Sequence, residues 1–278
     1  MKRICALTMA RNDDFFLRKW VRYYGDELGL ENLYVYLDGK DQPRPEWCPE
    51  EVNVTICDKI PGKVVELDRR RLKLLSGEAA ALLERYDMVI GTDADEFLIV
   101  DPALHTGLAE FLSKASIKTS ASGLGVDVGQ HTGCEKEISS SESFLSQRSF
   151  GLLSTRYTKP SVIAKAVEWG SGFHRIKGHD FHILDGLYLF HFGYIDLKRI
   201  EARFNDKDRI SGGWSRHLAK RARTINVISR RKALGWERWT DFARTVQTVV
   251  RPPYAWNKPA MFNLDIVVRI PERFREIV

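Results

Sequence analysis

Three acids crowd into one short stretch, "MVIGTDADEFLIV" at positions 88–100. Asp93, Asp95 and Glu96 stand between Val89 and Ile90 on one side and Phe97, Leu98 and Ile99 on the other. Unpaired carboxylates are costly beside a core, so their presence there asks for a purpose. In extended backbone, positions i and i+2 point to the same side. Asp93 and Asp95 could then share one hard cation, Mn²⁺ or Mg²⁺, of the kind that prefers carboxylate oxygens and bridges to phosphates. The same alternation turns Glu96 away from them.

The histidines are the next candidates. "FHRIKGHDFH" brings His174, His179 and His182 close together, and His191 follows in "LYLFHFGY". Zinc is one reading, but Cys5, Cys48, Cys57 and Cys134 are scattered without CxxC spacing and support neither a zinc site nor a disulfide framework. His191 follows an apolar run, as a residue at a strand end would, and is expected to complete the Asp93/Asp95 shell. The plainer alternative is a histidine packed among aromatics. A phosphate loop of GxxxxGK type is missing, and "GLGVDVG" (123–129) has the wrong glycine spacing for a dinucleotide loop.

These residues need a frame. "RICALTM", "NLYVYLDG", "VNVTICD" and "DMVIGTD" read as four strands. A helix with Leu17, Trp20, Val21, Tyr24 and Leu28 on one side, capped by Asn12 or Asp13, follows the first. A second helix is expected over 65–86. Strands alternating with helices predict an α/β fold with a mainly parallel sheet. Ligands of such sheets bind beyond the carboxyl ends of the strands. Those ends here are Ala10-Arg11-Asn12, Asp38-Gly39, Asp58-Lys59 and Asp93-Ala94-Asp95. Later, "GLAEFLSKA" is helix-like, "SGLGVDVG", "KPSVIAKAV" and "DGLYLFHFGYI" are strand-like, and 134–149 is a Ser-rich loop.

The chain of 278 residues carries a net charge of +6, unevenly placed. Lys198 to Arg251 holds 15 Lys and Arg against 5 Asp and Glu, a net +10 that leaves the rest at −4. Within it Trp214, Leu218, Ile225, Ile228, Leu234, Trp236, Trp239 and Phe242 interleave with the cations. That pattern suits peripheral contact with an anionic membrane, or helices packed on a catalytic domain with Arg and Lys facing water. No run has the roughly 20 apolar residues of a membrane span, and cysteine usage points to a reducing cytoplasm. The expected division is a catalytic domain over 1–207 and a mostly helical extension over 208–278.

"ALTMARNDDFFLRKWVRYYGDELGLENLYVYLDG" resembles the opening of family-two-like glycosyltransferases: a strand, an RNE-type turn, a helix with a Trp, then a strand ending near an acid. Asp13 stands where Glu is usual, and "DGKDQ" replaces the usual "DNxSxD". "IGTDADEFLIV" is similar to their acidic segment. "KPSVIAK", His174 and "LFHFGY" through "RIEARFNDK" are similar to their later region. The resemblance covers Ile4 to Lys207.

It implies a type A glycosyltransferase fold, with a Rossmann-like mixed sheet and, here, a helical C-terminal extension. It implies a metal site of Asp93, Asp95 and His191, and a nucleotide pocket lined by Arg11, Asn12, Asp38 and Asp93. Lys159 would lie near the phosphates or the acceptor. The expected partners are a nucleotide-sugar donor and a glycan or lipid-linked acceptor, with no nucleic acid. A divalent ion would neutralise charge on the departing diphosphate, and inverting transfer would need a general base, for which Glu96, Asp127 and Glu142 are candidates. The rival readings are a nucleotidyltransferase using the same acids, and a non-enzymatic basic binding module.

Overall fold

The computed structural model describes residues 1–60, 64–176, 178, 182–204, 215–250 and 263–278. The parallel pairing expected from the sequence is present. β1 (Ile4–Ala10), β2 (Leu33–Asp38), β3 (Asn53–Cys57) and β4 (Met88–Gly91) run parallel in the order β4-β1-β2-β3. α1 (Asp14–Leu28) links β1 to β2, and α2 (Val64–Leu82) precedes β4.

Strand alternation places the two helices on opposite faces. Ile4, Ala6 and Ala10 of β1 share a core with Phe16, Leu17 and Trp20 of α1. Cys5, Leu7 and Met9 face Leu72, Leu75 and Ala79 of α2. Adjacent parallel strands served by helices on opposite faces make a topological switch point between β1 and β4, where a crevice opens at the carboxyl ends.

The second half makes the sheet mixed. β5 (Glu96–Val100) runs antiparallel to β9 (Ile183–Tyr194). β9 in turn is parallel to β6 (Ser120–Gly129). β6 bridges the halves: its start pairs with β8 (Val162–Ile163), which pairs with β4, and its end pairs with β7 (Phe150–Leu153). α3 (Leu108–Lys114) precedes β6 and α4 (Phe144–Gln147) precedes β7. The glycines of "GLGVDVG" serve close packing. A Cβ on Gly123 would lie 2.7 Å from the Tyr188 carbonyl carbon, and one on Gly125 would lie 2.4 Å from that of Tyr157.

Several elements depart from expectation. "KPSVIAKAV" forms a strand only at Val162–Ile163, and α2 ends at Leu82 rather than Tyr86. The Ser-rich stretch contains α4. α5 (Leu197–Phe204), α6 (Ser215–Arg230) and α7 (Trp236–Val249) are the helices of the basic region. The boundary expected at 207/208 lies outside the described residues. The tail also contains a strand, β10 (Val267–Arg269), antiparallel to β7. Its β-branched Val267 and Val268 suit an edge position better than a helix. Among the described residues no helix is long and apolar enough to cross a membrane.

Candidate active site

The acidic cluster sits in a turn, which corrects the extended reading of Asp93-Ala94-Asp95. Beyond β4 the chain bends so that Glu96 N–H donates to the Asp93 carbonyl at 3.0 Å. α1 anchors this bend, with Trp20 Nε1 donating to Thr92 Oγ1 at 2.9 Å. The bend separates the two aspartates that extended backbone would have aligned. It also brings Glu96, expected to point away, toward the same centre.

Asp93 is turned toward cations of its own chain. Arg71 Nη1 on α2 donates to its Oδ1 at 2.6 Å, and Lys159 Nζ donates to its Oδ2 at 3.2 Å. Burial would raise the Asp93 carboxyl, but these two charges outweigh it and hold it well below the ordinary range. Lys159, only 2% exposed, also lies 2.5 Å from Glu96 Oε1. Burial nevertheless pushes Glu96, 1% exposed, up to about 7, against the pull of Lys159.

Asp95 faces a different neighbour. Its Oδ2 is 3.5 Å from His191 Nε2. His191 lies in β9, opposite Glu96 of β5 and level with Asp127 of β6. Its Nδ1 is 2.7 Å from Asp127 Oδ1, and Asp127 Oδ2 accepts from Thr224 Oγ1 of α6 at 2.8 Å. Tyr157 stacks on the imidazole, with centroids 3.8 Å apart and planes 12° apart. The space against His191 belongs to Gly193, where a Cβ would come 2.7 Å from Nε2 and 2.9 Å from Asp95 Oδ2. Burial would lower the His191 pKa, but Asp95 and Asp127 raise it to about 9. Burial also raises Asp127, with His191 acting against it.

Among the described residues, Asp95, Glu96 and His191 have ligand atoms within 4.8 Å of one another. A carboxylate oxygen and an imidazole nitrogen on one centre, with a second carboxylate on the far ring nitrogen, fit a divalent ion. Glu96 is engaged by Lys159 and Asp93 by Arg71, while Asp95 and His191 face each other at 3.5 Å.

No family model matches the chain, and no curated protein sequence does. Among solved structures it is similar to the crystal structure of a glycosyltransferase involved in the glycosylation of the major capsid of PBCV-1. The identity is 11% and the TM-score 0.25, over 44% of this chain and 51% of that one. The chain thus spans about half the length of that structure.

The remaining expected residues spread along the same sheet edge. Arg11 donates to the Asp38 carbonyl and forms a two-pronged pair with Asp41, at 2.9 and 2.6 Å. Asn12 holds φ 48°, a left-handed turn that Asn tolerates better than most residues, and its N–H donates to Gln42 Oε1 at 3.0 Å. The N-cap of α1 is Asp13, without a side-chain capping bond. Asp38 Oδ1 accepts from Ile60 N–H at 2.8 Å. Of the candidate bases, Glu96 and Asp127 are buried and engaged as described. Glu142 lies elsewhere, in a cavity of about 600 Å³ lined also by Lys19, Arg22 and Arg275. His174 Nδ1 is 2.9 Å from the Arg156 carbonyl, His182 is exposed, and His179 lies outside the described residues.

Sequence reasoning missed Arg71, Tyr157 and Thr224. Arg71 sits in a run of three arginines on α2, and nothing in that run distinguishes it. In the basic tail, Ile225, Ile228 and Trp236 are buried, which favours packing over lipid contact for them. Phe242, Val249 and Val250 of the same region are exposed. Trp214 and the side chain of Leu218 lie outside the described part.

Proposed function

We propose that this chain is a metal-dependent glycosyltransferase that moves a sugar from a nucleoside-diphosphate sugar to a glycan or lipid-linked acceptor. The observation that carries this reading is the Asp95–His191 pair. It is backed by Asp127 and stands at the carboxyl edge of the parallel strands, beside the Arg71–Asp93–Lys159 group.

Asp95 and His191 would hold Mn²⁺ or Mg²⁺. When bound, such an ion would neutralise charge developing on the diphosphate as the sugar bond breaks. The chain's own residues supply the rest. Arg71 and Lys159, already oriented by Asp93, would stand beside the leaving group, so little reorganisation is needed. Arg11 and Asn12 follow β1 and Asp38 ends β2 at the same edge of the sheet, where a nucleoside would lie. Tyr157, Gly193 and Asp127 confine the His191 ring to one orientation.

The test is a thermal-shift screen of nucleoside diphosphates, nucleotide sugars and nucleoside triphosphates, each with and without Mn²⁺, followed by turnover of the stabilising compounds. Stabilisation by a diphosphate or its sugar that requires Mn²⁺ and disappears in Asp95→Asn is the expected result. Stabilisation by triphosphates alone would favour nucleotidyl transfer instead. Nucleotide binding indifferent to Mn²⁺ would remove the ion from the reading.

A further inference from the structure

The basic C-terminal region, expected as an appended extension, reaches into the site through one hydroxyl. α6 packs against β6 where β6 ends in Gly129. The fit there is close: a Cβ on Gly129 would lie 2.9 Å from Ile228 Cδ1 and 3.3 Å from Thr224 Cγ2. Glycine at this point lets the helix approach the strand, and the approach sets Thr224 Oγ1 2.8 Å from Asp127 Oδ2. Thr224, Asp127 and His191 are all buried.

The consequence is geometric. The terminal torsion of an aspartate is broad, so a carboxylate held at one oxygen can still rotate. Asp127 is held at both: His191 Nδ1 meets Oδ1 at 2.7 Å and the Thr224 hydroxyl meets Oδ2. With the carboxylate plane pinned, the direction in which it holds the imidazole is pinned too. Tyr157, stacked at 3.8 Å, restrains the ring on its face. His191 Nε2 is thereby kept on Asp95 Oδ2.

We propose that Thr224 is a positioning residue: through Asp127 it aligns His191 Nε2 with Asp95 and with the divalent cation that the pair would hold. This rests on the function proposed above for the cation, and on geometry alone for His191. The basic region is then a working part of the site, because its helix α6 carries the outermost member of the chain Thr224–Asp127–His191–Asp95.

Thr224→Val keeps the shape and removes the donor, whereas Thr224→Ser keeps the donor and removes the methyl. Thr224→Ala serves in place of the valine should that variant fail to fold. Two readouts apply. The first is binding of Mn²⁺ alone, followed by paramagnetic resonance of the free ion. The second is the Nδ1 signal of His191 in metal-free protein labelled with ¹⁵N at histidine, recorded at one fixed pH. The valine should weaken Mn²⁺ binding up to about 10-fold, the low end of the cost of losing a group bonded directly to a ligand because Thr224 acts through Asp127, and should displace the His191 signal. The serine should restore both. A valine variant that melts earlier yet keeps wild-type Mn²⁺ affinity and an unmoved His191 signal would overturn the proposal and leave Thr224 as packing. Wild-type protein that binds no Mn²⁺ would sink the proposed cation, and the nitrogen signal would then decide the Thr224 assignment alone: displaced and restored supports it, unmoved overturns it.

Discussion

The two aspartates of one turn, Asp93 and Asp95, stand two residues apart in opposite electrostatic surroundings. Asp93 meets Arg71 and Lys159, so its charge is answered from within the chain. Asp95 meets a histidine whose far side already belongs to another carboxylate. Burial acts on both sides of the turn, and what differs is the partner. The cation-rich side leaves Asp93 ionised under all ordinary conditions. The carboxylate-rich side draws a proton onto His191. The lesson is that spacing alone does not assign equal roles to an Asp-x-Asp pair. One member anchors two cations, and the other faces a single histidine held from behind by Asp127.

The largest effect expected from this contrast is on stability. Lys159→Met leaves Glu96 without its partner in a buried site, and breaking a buried pair this way costs about 3–5 kcal/mol. The double variant Lys159→Met with Glu96→Gln should regain part of the loss, since no stranded charge remains. Denaturant melts of the wild type, the single and the double measure it. If the single variant is as stable as wild type, the Asp93 side holds nothing together.

The next effect separates the aspartates directly. Asp95→Asn should weaken Mn²⁺-dependent nucleoside-diphosphate binding by at least about tenfold, a loss of roughly 1.4 kcal/mol, while Asp93→Asn should mainly lower the melting temperature by freeing Arg71 and Lys159. Calorimetric titration and thermal melts on the two variants give both numbers. The contrast breaks if Asp93→Asn abolishes Mn²⁺ dependence and Asp95→Asn does not.

The pH dependence sharpens it further. A cation needs the neutral imidazole, and His191 keeps its proton up to about 9. Mn²⁺ affinity should therefore rise roughly tenfold per pH unit between about 7 and 9, then level off. Stability without metal runs the other way. The folded pKa of His191 is raised from 6.5, so its contribution is complete below 6.5 and is lost as pH rises through about 9. Metal titrations and melts across this window check both signs, and an affinity indifferent to pH would mean that His191 is no ligand.

The smallest effect belongs to Tyr157. Tyr157→Phe removes the 3.0 Å hydroxyl contact with Tyr194 and keeps the ring over His191, so stability should fall by about 1 kcal/mol with Mn²⁺ affinity unchanged. A larger loss of affinity than of stability would show that the hydroxyl, and not the stacked face, restrains the imidazole.

Much of this frame was legible in the sequence. Strand periodicity and helix spacing are local, and they located β1 to β4, α1 and the acidic strand end at 93–95. Residues at the ends of parallel strands must share an edge, so Arg11, Asn12, Asp38 and the acids could be placed together without coordinates. β5 was hidden because the turn at 93–96 occupies so few residues that two strands read as one apolar run. β7 and β10 were too short to signal themselves.

What the sequence determined by itself is therefore the set of chemical groups and the edge they occupy, because apolar periodicity and strand direction follow from side chains near one another in the chain. The tertiary structure decided the pairings: Arg71 and Lys159 with Asp93, His191 with Asp95 and Asp127, and Thr224 behind them. Asp93 and Lys159 are 66 residues apart, and Asp127 and Thr224 are 97 apart. Over such separations a charge selects its partner by burial and by the register of the strands that carry both, and neither is written in local spacing.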